Sequence, residues 1–417
     1  MAENTEFKAK YNETKDKITK LKAEFRNKIE KLEKTRIDTS VKNTRHDVEN
    51  IRHNAKNAEF KTRVAKLKED SRHLFQFRLY FSIAQHKERN ALLKKIYTPS
   101  FSKLKKGTKE YLDLGKSGKV WENYFCPFEW HIQDYDFYIK NSSLLNEISV
   151  IKDTIKILTK DFFQHMIVNF SHQSCIIEGN SLGIAESQII WEKINQNYNI
   201  NDLQHEEVQL PKPKSLLDKP GKEIEVIEIR NHLLITHYLY NIMLKSEQKI
   251  NINNIKKIHY IILKNTPQER VNVWGKIQQA GMFRTVSMQA VGYPLTIYPY
   301  GEEVPILMER FIQFYNKTVI SDNIDNHKSY QIHPLMNACR ILSSFLHIHP
   351  FYDGNGRVGR LLMALYLAHN GFPPPVFQQL DQKEYIDALY KAQAEKNMVP
   401  LYNIVIGTIF DILVSYM

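Results

Sequence analysis

The sequence predicts an all-α protein with one short β-hairpin, and three observations lead to that prediction. Residues 1–98 contain no proline or glycine and repeat apolar side chains at helical spacing. Four later stretches are also apolar and helix-like: residues 225–244, 250–263, 334–347 and 358–369. Residues 281–299 alternate in part between apolar and polar side chains around Gly292-Tyr293-Pro294, which favours a hairpin there.

The first 98 residues form a long, basic, helical extension in this interpretation. They hold 25 Lys+Arg against 14 Asp+Glu, which accounts for most of the net charge of +12. The pattern predicts two long helices, or one interrupted near Thr39-Ser40, arranged as an antiparallel hairpin or a coiled-coil homodimer. Such a surface can attract acidic partners, but a solvated coiled-coil surface is the interpretation we favour. Aromatic residues are sparse before Phe75, which argues against a nucleic-acid partner.

The remaining 319 residues provide room for a large core, and changes of composition suggest its parts. A helical region with an aromatic connector is predicted over residues 99–249, and it includes a helix at about 161–180. A catalytic core is predicted over 250–406, and the end of a C-terminal helix over 407–417.

Cysteine usage and hydropathy indicate the compartment. The three cysteines, Cys126, Cys175 and Cys339, show no paired spacing, so neither a disulfide framework nor a zinc site is predicted. The N-terminus lacks a basic-then-apolar leader pattern, and no window is apolar enough to span a bilayer. We therefore expect an intracellular, soluble protein in the cytoplasm, with the nucleus as a second option.

The most informative run is residues 349–360, HPFYDGNGRVGR. Its glycines let the backbone approach a ligand closely, and the apolar stretch that follows predicts a helix. A loop that opens a helix presents free N–H groups and the positive end of the helix dipole, so it favours an anion. Arg357 and Arg360 lie on one face of the first turn, where two guanidinium groups can grip phosphate oxygens.

Two further residues of the run suggest chemistry rather than binding alone. Asp353 is a single carboxylate beside the predicted anion site, and one carboxylate plus substrate phosphates is how proteins usually hold Mg²⁺. His349 precedes the loop and can accept a proton from an attacking hydroxyl near neutral pH.

The run resembles the signature of the Fic family of protein adenylyltransferases, His-x-Phe-x-Asp/Glu-Gly-Asn-Gly-Arg-x-x-Arg, and every fixed position is present. The resemblance implies a helical core in which this loop joins two central helices. It also implies that His349 deprotonates a target hydroxyl, which attacks the α-phosphate of ATP. Asp353 would be the Mg²⁺ ligand, Arg357 would hold the α/β-phosphates, and Arg360 would reach the γ-phosphate. The implied ATP-binding residues are Asp353, Gly354, Asn355, Gly356, Arg357, Val358, Gly359 and Arg360.

A second segment, residues 174–180, resembles the inhibitory motif of the same family, Ser/Thr-x-x-x-Glu-Gly/Asn. Its matching residues are Ser174, Glu178, Gly179 and Asn180. Glu178 is placed at the predicted end of a helix, where the dipole disfavours a carboxylate that lacks a cation. The resemblance supplies that cation: Glu178 would pair with Arg360 and remove the γ-phosphate clamp.

A third segment, beginning at Gly281, resembles the flap of the family. An exposed strand edge can bind a target segment through main-chain hydrogen bonds. The flap residues are Arg284, Val286 and Met288, of which Arg284 can serve either the nucleotide or the fold.

The resulting hypothesis is an enzyme that transfers AMP from Mg·ATP to a hydroxyl side chain of a protein and is held back by Glu178. Gly354 favours AMP transfer over the phosphorylation of the Doc branch, which typically departs from glycine at this position. Removal of AMP, a bifunctional enzyme, or transfer of another nucleotide remain the enzymatic alternatives. The non-enzymatic alternative is a coiled-coil scaffold that carries a latent site.

Overall fold

The computed structural model describes residues 87–417, except 156–159, 206, 244–248, 274, 289–295, 321–331, 378–379 and 381. Backbone contacts divide the chain into two units, Met1–Glu88 and Arg89–Met417, and the described elements lie almost wholly in the second. The predicted basic extension, apart from its last residues, therefore lies outside the described residues. The predicted divisions at residues 249 and 406 fall inside the second unit and stay predictions.

The described chain is mostly helical, which confirms the predicted fold class. The α-helices, in order, are α1 (residues 87–101), α2 (Lys109–Lys116), α3 (Lys119–Phe125), α4 (Ile132–Ile155), α5 (Lys160–Ile177), α6 (Ile184–Asn197), α7 (Pro213–Leu216), α8 (Glu223–Tyr238), α9 (Ile252–Leu263), α10 (Val304–Ile320), α11 (Pro334–Ile348), α12 (Asn355–His369), α13 (Gln382–Ala394) and α14 (Val399–Val414). Short 3-10 turns at Ile200–Gln204 and Gly301–Glu303 and a π turn at Leu239–Met243 complete the helical elements.

Two central helices, α11 and α12, are joined by a loop that belongs to the run of residues 349–360. Pro334 starts α11 at a position that tolerates a missing N–H, and His333 caps it by accepting the N–H of Leu335. Gly359 lets the helices come close, because a Cβ there would lie 3.2 Å from Leu342 Cδ1 and from Phe345 Cδ1. The loop is therefore held between two packed, almost wholly buried helices.

The hairpin lies earlier in the chain than the sequence pattern predicts. Strands β1 (Arg270–Val273) and β2 (Lys276–Gln279) pair antiparallel, with Val271 opposite Gln278, and Gly275 takes a φ of 78° in the turn. The described parts of residues 281–299 contain no strand, and the predicted tip around Gly292 lies outside the described residues. The prediction of one short hairpin is confirmed, but residues 285–288, whose side chains alternate in burial, form no strand.

The helix that carries the predicted inhibitory segment ends where the sequence indicates. α5 stops at Ile177, Gly179 adopts a φ of 96°, and the N–H of Asn180 donates to the carbonyl of Cys175 at 3.1 Å. This left-handed C-cap satisfies a terminal carbonyl of the helix and turns the chain beside α12. The chain then continues into α6, which packs with α5 against α8.

Candidate active site

His349 forms the C-cap of α11 in a left-handed conformation, with φ 50° and ψ 61°. Its N–H donates to the carbonyl of Phe345 at 3.0 Å, and its ring stacks on Tyr298 with 4.1 Å between the ring centroids. Left-handed backbone is unfavourable for a residue with a Cβ and persists only where the surroundings enforce it. Burial, together with the nearby Arg284 charge, lowers the pKa of His349 to about 3. The imidazole is therefore uncharged at neutral pH.

Arg284 helps to hold His349 in this conformation. Its guanidinium donates to the carbonyls of His349 (2.6 Å), Ile348 (3.3 Å), Val286 (2.9 Å) and Pro299 (2.8 Å). Its own N–H donates to the carbonyl of Pro350 at 2.9 Å. The side chain is 1% exposed, and burial lowers its pKa to about 10. Two roles were left open for Arg284, binding the nucleotide or supporting the fold. Its contacts support the second role, because they join the segment after the hairpin to the end of α11.

The loop between the central helices holds itself in shape. Asn355 accepts the N–H of Phe351 at 3.0 Å and donates to the carbonyl of the same residue at 2.9 Å. Asp353 Oδ1 accepts the N–H of Gly354 at 2.7 Å, and Gly354 takes a φ of 74° that favours glycine. α12 begins at Asn355, so the start of a buried helix faces the site.

A buried histidine also supports this loop. His259 on α9 accepts the N–H of Gly281 on Nδ1 at 2.8 Å, so its Nε2 carries the proton and donates to the carbonyl of Asp353 at 2.9 Å. Its ring stacks on Phe351 with 3.7 Å between centroids, and burial lowers its pKa to about 3. His259 is thus a neutral bridge between the residues after the hairpin and the loop.

The two arginines of the run lie buried on the first turns of α12. Arg360 donates from Nε to Ser174 Oγ (2.9 Å) and from Nη2 to the Ser174 carbonyl (2.8 Å) and Glu178 Oε1 (2.7 Å). Arg357 Nη1 lies 3.4 Å from Glu228 Oε1, and its Nη2 lies 4.0 Å from Asp353 Oδ2. Both positive charges therefore lie next to carboxylates.

Glu178 lies beside Arg360, at the first turn of α12. Its side chain is 38% exposed, yet a Cβ at Gly356 would overlap its Oε1, so the carboxylate rests directly on the first turn of α12. Burial acts to raise the pKa of Glu178, but the guanidinium groups of Arg360 and Arg357 outweigh it and hold the pKa below its usual value. An ionised carboxylate therefore occupies the place where the start of the helix favours an anion.

Not every residue of the predicted set faces the site. The Val358 side chain is fully buried in the core, and Gly359 packs against α11, so their place in the phosphate site stays a prediction. Val286 is buried and Met288 is half-buried in the segment after the hairpin. Glu228 was missed by the sequence analysis, because its contact with Arg357 spans 129 residues and no local pattern marks it.

No cluster of three or more histidine, cysteine, aspartate or glutamate side chains is placed to hold a metal ion within the described ranges. Asp353, with a 40% exposed side chain, is a lone carboxylate that suits Mg²⁺ delivered with phosphates, which supply the other oxygens. Among the helices described, none is both long and apolar enough to cross a bilayer.

The central loop of the helical core brings together a neutral histidine, the start of a helix and two buried arginines, an arrangement that suits phosphate. Comparison with known proteins agrees: residues 249–367 match the model of the Fic/DOC family. The similarity to a Fic domain therefore concerns residues 249–367, which include the whole run 349–360.

Curated relatives align with this part of the chain. Protein adenylyltransferase Fic of Culex quinquefasciatus is 32% identical over 145 residues, which cover 34% of this chain and 27% of that protein. Protein adenylyltransferase Fic of Drosophila grimshawi is 25% identical over 225 residues, which cover 54% and 36%. The chain thus spans about a quarter to a third of the length of the curated relatives it matches.

Among solved structures, Fic-1 from C. elegans aligns with a TM-score of 0.50 at 21% identity, over 67% of this chain and 72% of that one. At this identity the likeness concerns the fold.

Proposed function

We propose that the protein transfers AMP from ATP to a hydroxyl side chain of a protein. The observation that carries the proposal is the convergence of His349, the start of α12 and two buried arginines on one loop. That loop lies within the segment matched by the Fic/DOC model, and the relatives that align with it are named adenylyltransferases. The cytoplasm remains our proposed location.

The residues fit an in-line displacement at phosphorus. The neutral imidazole of His349 accepts the proton of the target hydroxyl while the hydroxyl oxygen forms a bond to the α-phosphorus. The bond from the α-phosphorus to the oxygen bridging to the β-phosphate breaks, and pyrophosphate leaves. Arg357 and the N–H groups at the start of α12 neutralise charge on the phosphates, and Arg360 binds the terminal phosphate once it is released.

Asp353 is the proposed ligand of the magnesium ion that accompanies ATP. Mg²⁺ bound there would neutralise phosphate charge and orient the leaving group. The carboxylate suits this role because its Oδ1 is fixed by Gly354, while the side chain stays partly open to solvent.

Target binding is proposed for the segment after the hairpin. Arg284 anchors this segment next to His349, so a peptide backbone laid along it would bring a hydroxyl near the base. Recognition through main-chain groups demands little of the target sequence.

Glu178 is the proposed inhibitor of this reaction. It holds Arg360, together with Ser174, and its carboxylate competes with phosphate for the start of α12. Because Glu178 is ionised and partly exposed beside the phosphate site, it can also orient a water molecule there. Removal of AMP from a modified protein is therefore the second candidate activity.

The experiment is incubation of the full chain with α-labelled ATP and Mg²⁺, with the chain itself and a protein mixture as acceptors. We expect weak labelling by the wild type, strong labelling by Glu178→Gly and none by Glu178→Gly/His349→Ala. A matched control is Glu178→Gly/His369→Ala, which removes a histidine at the far end of α12 and should label like Glu178→Gly.

Three outcomes would contradict the proposal. Equal labelling by wild type and Glu178→Gly would contradict the inhibitory role of Glu178, and label that persists in Glu178→Gly/His349→Ala would contradict the role of His349 as the base. Loss of label from premodified protein on incubation with wild type, without added ATP, would favour AMP removal as the main activity. Parallel assays with the other labelled nucleoside triphosphates test the choice of donor.

A further inference from the structure

We propose that Glu228 is a second carboxylate latch, which holds Arg357 in the nucleotide-free protein and competes with the phosphates of the incoming nucleotide. The inference rests on the proposed function, because it concerns regulation of the same nucleotide site. It differs from the inhibitory contact described above in its arginine, its carboxylate and the helix that carries that carboxylate.

The first observation is the surroundings of Arg357. Its side chain is 5% exposed, and its Nε is buried without a hydrogen-bond partner among the described residues. Of the two carboxylates within 4.0 Å of it, Glu228 is closer, at 3.4 Å, than the more exposed Asp353, at 4.0 Å. A buried guanidinium requires a counter-charge, and Glu228 on α8 supplies the nearer one.

The second observation is that Glu228 is aimed by the inhibitory segment. Asn180 donates from Nδ2 to Glu228 Oε2 at 2.9 Å and to the carbonyl of Glu225 at 3.0 Å. Its Oδ1 accepts the N–H of Leu182 at 3.1 Å, and this bond fixes the orientation of the amide. With one oxygen held by Asn180, the other oxygen of Glu228 is left facing Arg357.

The arrangement therefore occupies both arginines at once. Glu178 binds Arg360, and two residues later Asn180 positions the carboxylate that faces Arg357. Nucleotide binding must replace two carboxylate contacts, and removal of Glu178 releases only one of them. Because Arg357 must leave the Glu228 carboxylate before it can bind phosphate, removal of that carboxylate should tighten nucleotide binding.

The test measures binding without chemistry. In the His349→Ala full chain, calorimetry gives the Kd of Mg·ATP, ADP and adenosine for the parent, Glu228→Gln and Glu225→Gln. We expect Glu228→Gln to lower the Kd of ATP and ADP about fivefold, as for a partly exposed ion pair of about 1 kcal/mol, and to leave adenosine unchanged. The control Glu225→Gln makes the same change one turn earlier on α8 and should leave all three values unchanged.

Two further variants assign the effect to the latch. The gain from Glu228→Gln should vanish in an Arg357→Gln background, because the contact that is lost is specific to that arginine. Glu228→Asp keeps the charge and should bind ATP like the parent, whereas Glu228→Ala should bind like Glu228→Gln if its melting curve stays cooperative.

The outcomes separate this inference from the proposed function. Unchanged or weaker ATP binding by Glu228→Gln overturns the latch even if AMP transfer is observed. A gain shared by Glu225→Gln, by adenosine or by the Arg357→Gln background also overturns it. Tighter ATP binding in a chain that labels no protein leaves the latch standing and removes only the proposed transfer.

Discussion

The two sides of the site are held by different kinds of contact. On the base side, Arg284 fixes His349 through backbone carbonyls, and Tyr298 stacks on the imidazole ring. These partners carry no charge. A phosphate cannot displace the four carbonyls from the Arg284 guanidinium, because that side chain is buried. The base side is therefore set by the fold before any ligand arrives.

On the clamp side, Arg357 and Arg360 are held by the carboxylates Glu228 and Glu178. Carboxylates and phosphates both present paired acceptor oxygens to a guanidinium, so a phosphate can take the place of a carboxylate. The difference teaches that the proposed regulation and the proposed chemistry rest on separate contacts: those of Arg357 and Arg360 can be exchanged for phosphate, whereas those of His349 and Arg284 cannot.

The largest expected effect comes from disturbing the base side. In the Glu178→Gly protein, Arg284→Lys keeps the charge but loses the planar fork that reaches carbonyls on both segments. We expect kcat for AMP transfer to fall about 100-fold, because a small displacement of a catalytic group costs about that much. The Kd of ATP should change less than about threefold, as seen by calorimetry.

A matched control for this change is Arg310→Lys on α10, where the guanidinium pairs with Glu122 at the edge of the core. It should leave kcat unchanged. A loss of ATP affinity as large as the loss of kcat in Arg284→Lys would place Arg284 on the nucleotide and contradict the division into two sides.

The part of the site that is local in sequence could be predicted. The run of residues 349–360 contains local contacts, such as those of Asn355 with Phe351, and these are visible in its own sequence. Its contacts with Arg284 and His259 span 65 and 94 residues and are not. The pair of Glu178 with Arg360 spans 182 residues and was reached only through a family resemblance.

The rest depends on contacts that leave no mark on the sequence. Arg284 bonds to carbonyls, which every residue possesses, so its partners could not be inferred from residue types. The hairpin was misplaced because residues 285–288 alternate in burial without pairing, whereas Arg270–Val273 and Lys276–Gln279 carry polar residues on both faces. Helix starts and ends were clearer, since prolines and glycines mark them.

A smaller effect tests whether Glu178 rests on α12 as described. Gly356→Ala places a methyl group where Glu178 Oε1 lies, and 3.1 Å from Arg360 Nη1, so it should expel the carboxylate. We expect a loss of about 1 kcal/mol in unfolding free energy, the value of a partly exposed ion pair. In a Glu178→Ala background the loss should disappear, as measured by denaturant unfolding.

The control is Gly359→Ala, one turn further along α12, where the new methyl group meets Leu342, Phe345 and Leu346 of α11. Its cost arises from overpacking between helices and should be the same with or without Glu178. A cost of Gly356→Ala that persists in Glu178→Ala would mean that the carboxylate does not rest there.

The smallest expected effect is the response to pH, because the charges of Glu178 and His349 should not change near neutral pH. The pKa of Glu178 is lowered from 4.5 in the folded protein, so its stabilising contact is complete above 4.5 and is lost only as the pH falls through the lower folded value. With a pKa of about 3, His349 stays neutral over the same range. The ratio of Glu178→Gly to wild-type transfer rates should therefore be constant between about pH 5.5 and 8. Rates measured at intervals of half a pH unit check this. A ratio that falls towards one between about pH 7 and 5.5 would show that Glu178 is protonated in a range where the Arg360 charge should keep it ionised.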